Sequence, residues 1–280
     1  MDNLNPDPIV FVSHGAPSLV LEGGPAAARL AELGQTLDGC KALVVVSPHW
    51  RSAGYEVTAG KRPGTLHDFS GFDRELYSLQ YPAQGHVELA EKIASMLPGA
   101  QLNAKQPWDH GVWSPLILMR PDADIPVVQV SMPMQATPLS LFELGQQLAP
   151  LAGQGVALIG SGSLTHNLRD TRFGQTQALE YAQRFQDWVR EVLQQPYDKA
   201  TAALLDPNAH TPDFKLAHPY DDHYLPLLFT LGAAGLQSGA PHVYSSPIMH
   251  AALSMDSYRW SAGKPASHEY VNGGNAAQIH

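Results

Sequence analysis

Ile9-Val10-Phe11-Val12-Ser13-His14-Gly15 carries the strongest structural signal in this sequence, because four consecutive apolar residues are followed at once by a small polar residue, a histidine and a glycine. A short apolar run closed by turn-forming residues is typical of a strand that is buried on both faces of a sheet. Two other stretches have the same form: residues 43–46 are closed by Ser47-Pro48-His49, and residues 156–159 by Gly160-Ser161-Gly162. The sequence therefore predicts three buried central strands.

Helical patterns lie between and after these strands. Apolar residues at three- and four-residue spacing predict helices over residues 25–37, 85–97, 138–151 and 177–193, and a short helix over residues 222–231 with Pro226 in its first turn. Further strands are predicted over residues 55–59, 127–130, 242–244 and 252–258, and loops over residues 61–64, over residues 206–219 and from residue 263 onwards. The alternation predicts an α/β fold, and the loops indicate a single domain spanning residues 1–280.

Composition excludes several classes of partner. The 280 residues include 17 Lys and Arg against 26 Asp and Glu, which gives a net charge of −9 that repels nucleic-acid phosphates and anionic lipids. Cys40 is the single cysteine, so neither an intramolecular disulfide nor a cysteine-rich zinc site can form. We find neither a targeting pattern at the N-terminus nor an apolar run of ~18 residues. We therefore expect no nucleic-acid or membrane partner and a cytoplasmic location.

Histidines follow the three predicted central strands. The chain has 13 of them, and His14, His49 and His166 come within a few residues of the strand ends. Because the carboxyl ends of parallel strands meet at one edge of a sheet, these three imidazoles are expected to lie together, as a divalent metal ion requires. The alternative for each one alone is a histidine that is hydrogen-bonded within a turn. Taken together, the three favour a metal site at the C-terminal ends of the strands.

Two further histidines have neighbours that suggest a function. His223 lies beside Asp222 at the start of a predicted helix, where either residue could ligate a metal or cap the helix. His110 follows Asp109, which could orient the imidazole, and Trp108 and Trp113 could wall an aromatic pocket or simply pack in the core.

Other chemistries have weak support. The sequence Gly23-Gly24-Pro25 lacks the Lys-Ser/Thr of a phosphate-binding loop, and Gly160-Ser161-Gly162-Ser163-Leu164 matches a nucleophile elbow only loosely because Leu164 stands where a glycine is expected. Cys40 has no base near it in the sequence and is interpreted as a structural thiol.

Six ordered motifs resemble those of a known family. They are Val12-Ser13-His14-Gly15-Ala16-Pro17, Val45-Val46-Ser47-Pro48-His49-Trp50, Thr65-Leu66-His67-Asp68-Phe69-Ser70-Gly71-Phe72, Asp109-His110-Gly111-Val112-Trp113, Thr165-His166-Asn167-Leu168 and Asp222-His223-Tyr224-Leu225-Pro226-Leu227. In this order they resemble the motifs of the class III extradiol ring-cleavage dioxygenases, in particular those of the DOPA 4,5-dioxygenase type. The resemblance covers about residues 9–260.

The resemblance implies a single-domain α/β fold around a mixed central sheet flanked by helices, with one metal ion at a sheet edge. His14 and His49 match the family's first two metal ligands, and His223 matches the third, which is a glutamate in the protocatechuate-cleaving relatives. His166 matches an active-site histidine that acts as acid–base catalyst or, in zinc-bound members, as a further ligand. His110 matches a histidine that contacts the substrate or oxygen.

The implied function is extradiol cleavage of a substituted, DOPA-like catechol, with O₂ inserted next to the diol to give a muconic semialdehyde. Fe(II) would be needed for activity, and Zn(II) could be the bound ion because an all-imidazole site also suits zinc. The expected partners are therefore a small aromatic diol and O₂, for a chain that is a monomer or a small homo-oligomer.

His67 and Asp68, on a loop bounded by glycines, and Tyr224 are assigned to substrate binding, although a solvated turn would explain the first two equally well. The alternatives to a dioxygenase are a zinc-dependent hydrolase on the same scaffold and a non-enzymatic metal-binding protein.

Overall fold

Strands and helices alternate along residues 8–261, the part of the chain that this computed structural model describes. The strands are β1 (Pro8–Ser13), β2 (Ala42–Ser52), β3 (Glu56–Thr58), β4 (Gln101–Asn103), β5 (Val127–Pro133), β6 (Val156–Gly162), β7 (His242–Tyr244), β8 (Ile248–Met249), β9 (Leu253–Ser254) and β10 (Ser257–Ser261). The α-helices are α1 (Leu19–Glu22), α2 (Gly24–Gln35), α3 (Val87–Met96), α4 (His110–Met119), α5 (Pro138–Leu148), α6 (Glu180–Leu193), α7 (Tyr197–Leu205), α8 (Pro207–His210), α9 (Phe214–Ala217) and α10 (Leu225–Ala234). Short 3₁₀ helices cover Arg74–Ser78, Ala149–Gly153 and Leu236–Ser238.

Eight strands form one mixed sheet in the order β4-β3-β5-β2-β6-β1-β10-β7, and β8 pairs with β9 in a separate two-stranded sheet. The central strands β5, β2, β6 and β1 run parallel to one another, whereas β10 pairs antiparallel with β1. The mixed α/β sheet expected from the sequence is therefore confirmed. The three strands that the sequence identified as central are direct neighbours, so their carboxyl ends open at one edge of the sheet.

An irregularity in β2 positions one of the strand-end histidines. Val46 pairs with Val130 and Arg51 with Met132, so β2 carries extra residues between two regular stretches of pairing. His49 belongs to this bulged segment. Bulges bend a strand and redirect side chains, and they are common next to active sites.

Helices cover both faces of the sheet, and each face has its own apolar core. On one face α2 and α4 pack over Val10, Val12 and Val45, and on the other face α5, α6 and α10 pack over Phe11 and Val44. Helix α10 is buried over its whole length, which explains why it is apolar on every side. Pro226 lies in its first turn, as predicted. Proline is tolerated there because a backbone amide in the first turn would have no acceptor within the helix.

Three predictions about the elements were incomplete. Helix α4 was not predicted, because its sequence is apolar on nearly all sides and contains Pro115, so it has no amphipathic pattern. The strand predicted over residues 252–258 is broken into β9 and β10 at Asp256, a buried carboxylate that accepts hydrogen bonds from Arg190 Nε (2.6 Å) and Nη2 (2.9 Å). The loop predicted over residues 206–219 contains two helices of four residues each, α8 and α9, which are too short to show a period.

One sequence-based expectation cannot be placed in the described fold. The loop predicted from residue 263 onwards lies outside residues 8–261. Among the helices of that described part, none is both long and apolar enough to cross a membrane.

Candidate metal centre and active site

Three histidine nitrogens converge at the carboxyl edge of the central strands. His14 directly follows β1, His49 lies in the bulge of β2, and His223 lies just before α10. The Nε2 atom of His49 is 3.3 Å from Nε2 of His14 and 3.2 Å from Nε2 of His223. The outer nitrogen of His49 thus lies close to those of both His14 and His223.

The hydrogen bonds of Ser161 fix the tautomer of His14. The hydroxyl of Ser161 donates its single hydrogen to the carbonyl oxygen of Gly111, which can only accept. The contact of 2.9 Å between Ser161 Oγ and His14 Nδ1 must therefore be donated by the imidazole. This leaves Nε2 of His14 without a hydrogen and with its lone pair directed at the other two histidines.

His223 is oriented in the same way by a carboxylate. Its Nδ1 lies 3.1 Å from Oδ1 of Asp222, so Nδ1–H donates to the carboxylate and Nε2 carries the free lone pair. The position of His223 also depends on Gly162 in β6, since a Cβ atom there would overlap the carbonyl oxygen of His223. Glycine at the end of β6 therefore allows His223 to approach the strand edge.

The spacing of the three nitrogens fits a single metal ion. Nitrogens held about 2.1 Å from one ion lie about 3.0 Å apart at octahedral angles and about 3.4 Å apart at tetrahedral angles. The two measured separations, 3.3 and 3.2 Å, fall between these values. A set of three imidazoles suits both iron and zinc.

Burial keeps these imidazoles neutral, which is the form that binds a metal. Burial, followed by the nearby His49 and His223, lowers the pKa of His14 well below its ordinary value. Burial and His110 lower the pKa of His49 to about 3, and burial with His166 lowers the pKa of His223 in the same direction. Because neutral histidine is the ligating form, a metal ion would displace little or no proton at neutral pH.

His166 lies against one of these three histidines, and one of its nitrogens lies within 4.8 Å of a nitrogen of His223 and of a carboxylate oxygen of Asp222. Its ring stacks on His223 with centroids 3.5 Å apart and planes 8° from parallel. Its backbone amide donates to the carbonyl of Ala217, which anchors the loop after β6. Burial lowers the pKa of His166 to about 4, so the ring is neutral at neutral pH.

Asp68 holds His110 at the site. Oδ1 of Asp68 accepts from both the backbone amide (3.0 Å) and Nδ1–H (2.9 Å) of His110, the first residue of α4. Oδ2 of the same carboxylate is 3.8 Å from Nδ1 of His49. The hydrogen bond and charge of His110 lower the pKa of Asp68 although burial opposes this. Asp68 therefore orients His110 through two hydrogen bonds and lies near His49 without bonding to it.

The histidines open onto a cavity of about 360 Å³. His14, His49, His110, His166 and His223 all line it, and its other walls include Phe69, Phe72 and Phe173. Pockets for small ligands are typically apolar and aromatic with a few polar groups placed precisely. The cavity can accept a small aromatic molecule directly against the histidine nitrogens.

Several residues assigned from the sequence lie elsewhere. Tyr224 is buried in the core, its hydroxyl donates to the carbonyl of Leu204 (2.8 Å), and it does not line the cavity, so its assignment to substrate binding is corrected. His67 faces the carbonyl of Leu79 (3.1 Å), and neither it nor Asp68 lines the cavity. His67 packs against Phe69 in the aromatic wall, with ring centroids 5.9 Å apart, and Asp68 holds His110, while their contact with the substrate stays a prediction.

The residues around His110 also differ from the expectation. Asp109 does not orient the imidazole, because its carboxylate accepts from Ser47 Oγ (2.8 Å) and from the amide of Gln129. Trp108 and Trp113 are fully buried in the core and do not wall the cavity. Phenylalanines form the aromatic wall instead. Two of them, Phe69 and Phe72, lie in the same motif as His67 and Asp68.

Comparisons with known proteins show which family this chain belongs to. Residues 9–255 match the family described as the catalytic LigB subunit of aromatic ring-opening dioxygenase. The chain belongs to this family. It is 40% identical to the 4,5-DOPA dioxygenase extradiol of Escherichia coli K12 over 81% of this chain and 84% of that protein. It is 34% identical to the 4,5-DOPA dioxygenase extradiol of Beta vulgaris over 84% of this chain and 90% of that protein.

A solved structure supports the fold. The crystal structure of an uncharacterized protein of Escherichia coli K12 is similar with a TM-score of 0.77 and 34% identity, over 90% of this chain and 99% of that one. With the family match, this makes the chain an extradiol dioxygenase of the LigB family, and the family is metal-dependent. The alternatives of a hydrolase or a non-enzymatic protein are therefore not supported.

Proposed function

We propose that this dioxygenase cleaves a substituted, DOPA-like catechol next to its diol with O₂ to give a muconic semialdehyde, using Fe(II) held by His14, His49 and His223. The observation that carries the proposal is the close approach of His49 Nε2 to the Nε2 atoms of both His14 and His223, beside an aromatic cavity. The names of the relatives support a DOPA-like substrate. Bound Fe(II) would supply the redox chemistry that O₂ requires and that zinc cannot provide.

His166 is the residue we assign to proton transfer. A catechol must lose protons before both of its oxygens can bind a cation, and a neutral imidazole at the cavity wall can take one of them. With its pKa lowered to about 4 by burial, the ring is uncharged before the substrate enters. Its stacking on His223 keeps it within the site, so the proton it accepts stays close to the reacting groups.

His110 is the residue we assign to contact with the substrate or with oxygen. Asp68 takes its Nδ1–H, which leaves Nε2 as the nitrogen available to the cavity. Phe69 packs against the ring of His110 with centroids 5.7 Å apart. The apolar wall excludes water from this nitrogen and strengthens the hydrogen bonds that it makes.

Oxygen uptake tests this function. Protein loaded anaerobically with Fe(II) is expected to consume one O₂ per catechol and to form a yellow ring-opened product, and His14→Ala is expected to abolish both. His210→Ala serves as the control, because this exposed histidine lies in α8 and does not line the cavity. Absence of O₂ uptake across a broad panel of catechols would contradict the proposal.

Two further properties are proposed on the sequence alone. The acidic net charge and the lone cysteine favour a cytoplasmic protein. A monomer or a small homo-oligomer is the expected assembly, and size-exclusion chromatography with light scattering would measure it.

A further inference from the structure

The cavity beside the histidines continues into a second, outer cavity. The inner cavity measures about 360 Å³ and the outer one about 480 Å³, and Phe72 and Phe173 line both. Their rings meet edge to face with centroids 6.0 Å apart and form the shared wall. Phe173 is 62% exposed, although its ring also packs against that of His250 with centroids 4.7 Å apart. A substrate longer than one ring can therefore extend past this wall into the outer cavity.

A path of aromatic rings leads from the histidines to this wall. Ring centroids are 5.7 Å apart between His110 and Phe69, 5.5 Å between Phe69 and Phe72, and 6.0 Å between Phe72 and Phe173. A reacting catechol must turn its diol towards the histidines. A substituent on the opposite side of its ring then points along this path and towards the outer cavity.

The charged side chains that line the two cavities, the histidines apart, are acidic. Asp222 lines the inner cavity and Glu22 and Asp73 line the outer one, whereas neither lining contains a lysine or an arginine. Glu22 Oε2 lies 3.3 Å from His250 Nε2. Asp73 makes no ion pair with any residue of the described part of the chain, so its charge is available to a ligand.

Two arginines adjacent in sequence to lining residues do not themselves line the cavities. Nη1 of Arg172 donates to the carbonyl oxygens of Arg169 (2.8 Å) and Thr171 (3.0 Å). Neither Arg172 nor Arg74 lines either cavity. A carboxylate on the substrate would thus find no cation in the outer cavity and would face Asp73 instead.

We propose that the outer cavity binds the side arm of the substrate and that it favours catechols whose arm carries an ammonium or a hydroxyl, DOPA among them, over those whose arm carries a carboxylate and no ammonium. An ammonium group is attracted to Asp73, a hydroxyl can bond to Ser18 or Ser70, and a carboxylate is repelled. This inference rests on the proposed cleavage of catechols and specifies which substrates the same site selects.

Three catechols with the same two-carbon arm test the inference: dopamine ends in an ammonium, hydroxytyrosol in a hydroxyl and dihydrocaffeate in a carboxylate. Steady-state O₂ uptake with Fe(II)-loaded protein gives kcat/KM, and calorimetric titration of zinc-loaded protein gives Kd without turnover. We expect dihydrocaffeate to be about ten-fold or more poorer than the other two in both measurements. The difference should lie mainly in KM, because the arm is remote from the bond that breaks.

Reversing the charge of Asp73 tests whether this residue causes the preference between substrates. Asp73→Lys is expected to invert the order of dopamine and dihydrocaffeate, and Asp73→Asn to narrow the gap between them. Asp122→Lys is the control, because it makes the same change of charge on an exposed residue. Asp122 lies beyond the C-terminal end of α4, whereas it is the first residue of that helix, His110, that lines the cavity. This variant should therefore keep the substrate order of the unmodified protein.

The outcomes separate this inference from the proposed function. Equal Kd values for the three catechols, or an order that neither Asp73 variant changes, would overturn the arm subsite. If catechols are cleaved without any preference for the arm, the subsite fails and the function stands. If zinc-loaded protein shows the preference in Kd but no catechol consumes O₂ with Fe(II), the subsite stands and the function fails.

Discussion

At the scale of single residues, Ser161 controls which nitrogen of His14 is available to a metal ion. Its hydroxyl hydrogen is committed to Gly111, so it accepts Nδ1–H from His14. We expect Ser161→Ala to weaken metal binding by about 10- to 100-fold, the usual effect of removing a partner that orients a ligand. Competition with a chelating dye measures this affinity.

The matched control for this variant is Ser163→Ala. Ser163 is equally buried and lies two residues further along, but its hydroxyl donates to the carbonyl of Thr165 (2.8 Å). Its loss should leave metal affinity close to that of the unmodified protein. Equal affinities for the Ser161 and Ser163 variants would show that Ser161 does not set the tautomer.

His166 provides a second prediction at this scale, because a base and a ligand fail in different ways. If His166 acts as a base, the His166→Gln variant should keep the metal and bind catechol, while its turnover falls by roughly 10²–10⁴-fold. Metal analysis after anaerobic Fe(II) loading, together with catechol binding, measures both properties. A variant without iron would instead identify His166 as a ligand and leave His110 as the candidate base.

Sequence reasoning found the histidines of this site more readily than their partners. His14, His49 and His166 could be predicted to meet because each follows a strand, and parallel strands share an edge. The contacts of Ser161 with His14 and of Asp68 with His110 join residues 147 and 42 positions apart, which no local pattern reveals. Asp68 was selected for its motif, and its actual contact became clear only in the fold.

At the scale of elements, the end of β6 and the start of α10 fit together through Gly162. Because a Cβ atom at this position would overlap the carbonyl oxygen of His223, Gly162→Ala must push His223 away from the strand edge. We expect a loss of about 1–3 kcal/mol in the free energy of unfolding, typical of overpacking, together with weaker metal binding. Urea unfolding and dye competition measure the two effects.

Gly153→Ala is the control for this variant, since an added Cβ there meets nothing within 4 Å. It is expected to change neither measurement appreciably. Normal metal affinity in the Gly162 variant would contradict the idea that the approach of α10 to β6 positions His223.

The elements themselves were predictable where one simple period dominates. The central strands and the helices α2, α3, α5 and α6 follow from apolar runs or from amphipathic spacing. Helix α4 is buried on nearly every side, and its apolar sequence offers no period to detect. Asp256 divides β9 from β10 through an ion pair with Arg190, 66 residues away in the sequence. Contacts between residues so far apart in the sequence cannot be predicted from a local sequence pattern.

At the scale of the whole molecule, buried neutral histidines make the stability of the metal-free protein depend on pH. Burial lowers the pKa of both His49 and His218 to about 3, against about 6.5 in an unfolded chain. Between these values the unfolded chain binds more protons than the folded one, so stability is complete above about pH 6.5 and is lost as the pH falls. Urea unfolding in the presence of a chelator, from about pH 7 to about pH 5, should show this decrease.

His218→Gln isolates one contribution to that decrease. His218 lies in the core, where Nε2–H donates to the carbonyl of Leu164 (2.8 Å), and it is outside the cavity lining. The variant should be less stable at every pH, but its stability should fall less steeply as the pH is lowered. An unchanged slope would show that His218 is not neutral in the fold.

The most direct test of the account is the position of the metal in a crystal of the metal-loaded protein, located by anomalous diffraction. We predict one ion per chain, about 2.0–2.2 Å from Nε2 of His14, His49 and His223, with His166 stacked beside it. Nitrogens of His14, His49 and His110 lie within 4.8 Å of one another and form one competing set of ligands, and ligand atoms of His166, Asp222 and His223 form a second. An ion held by either of these sets in place of His14, His49 and His223 together, or no ion at this edge of the sheet, would contradict the site and the mechanism built on it.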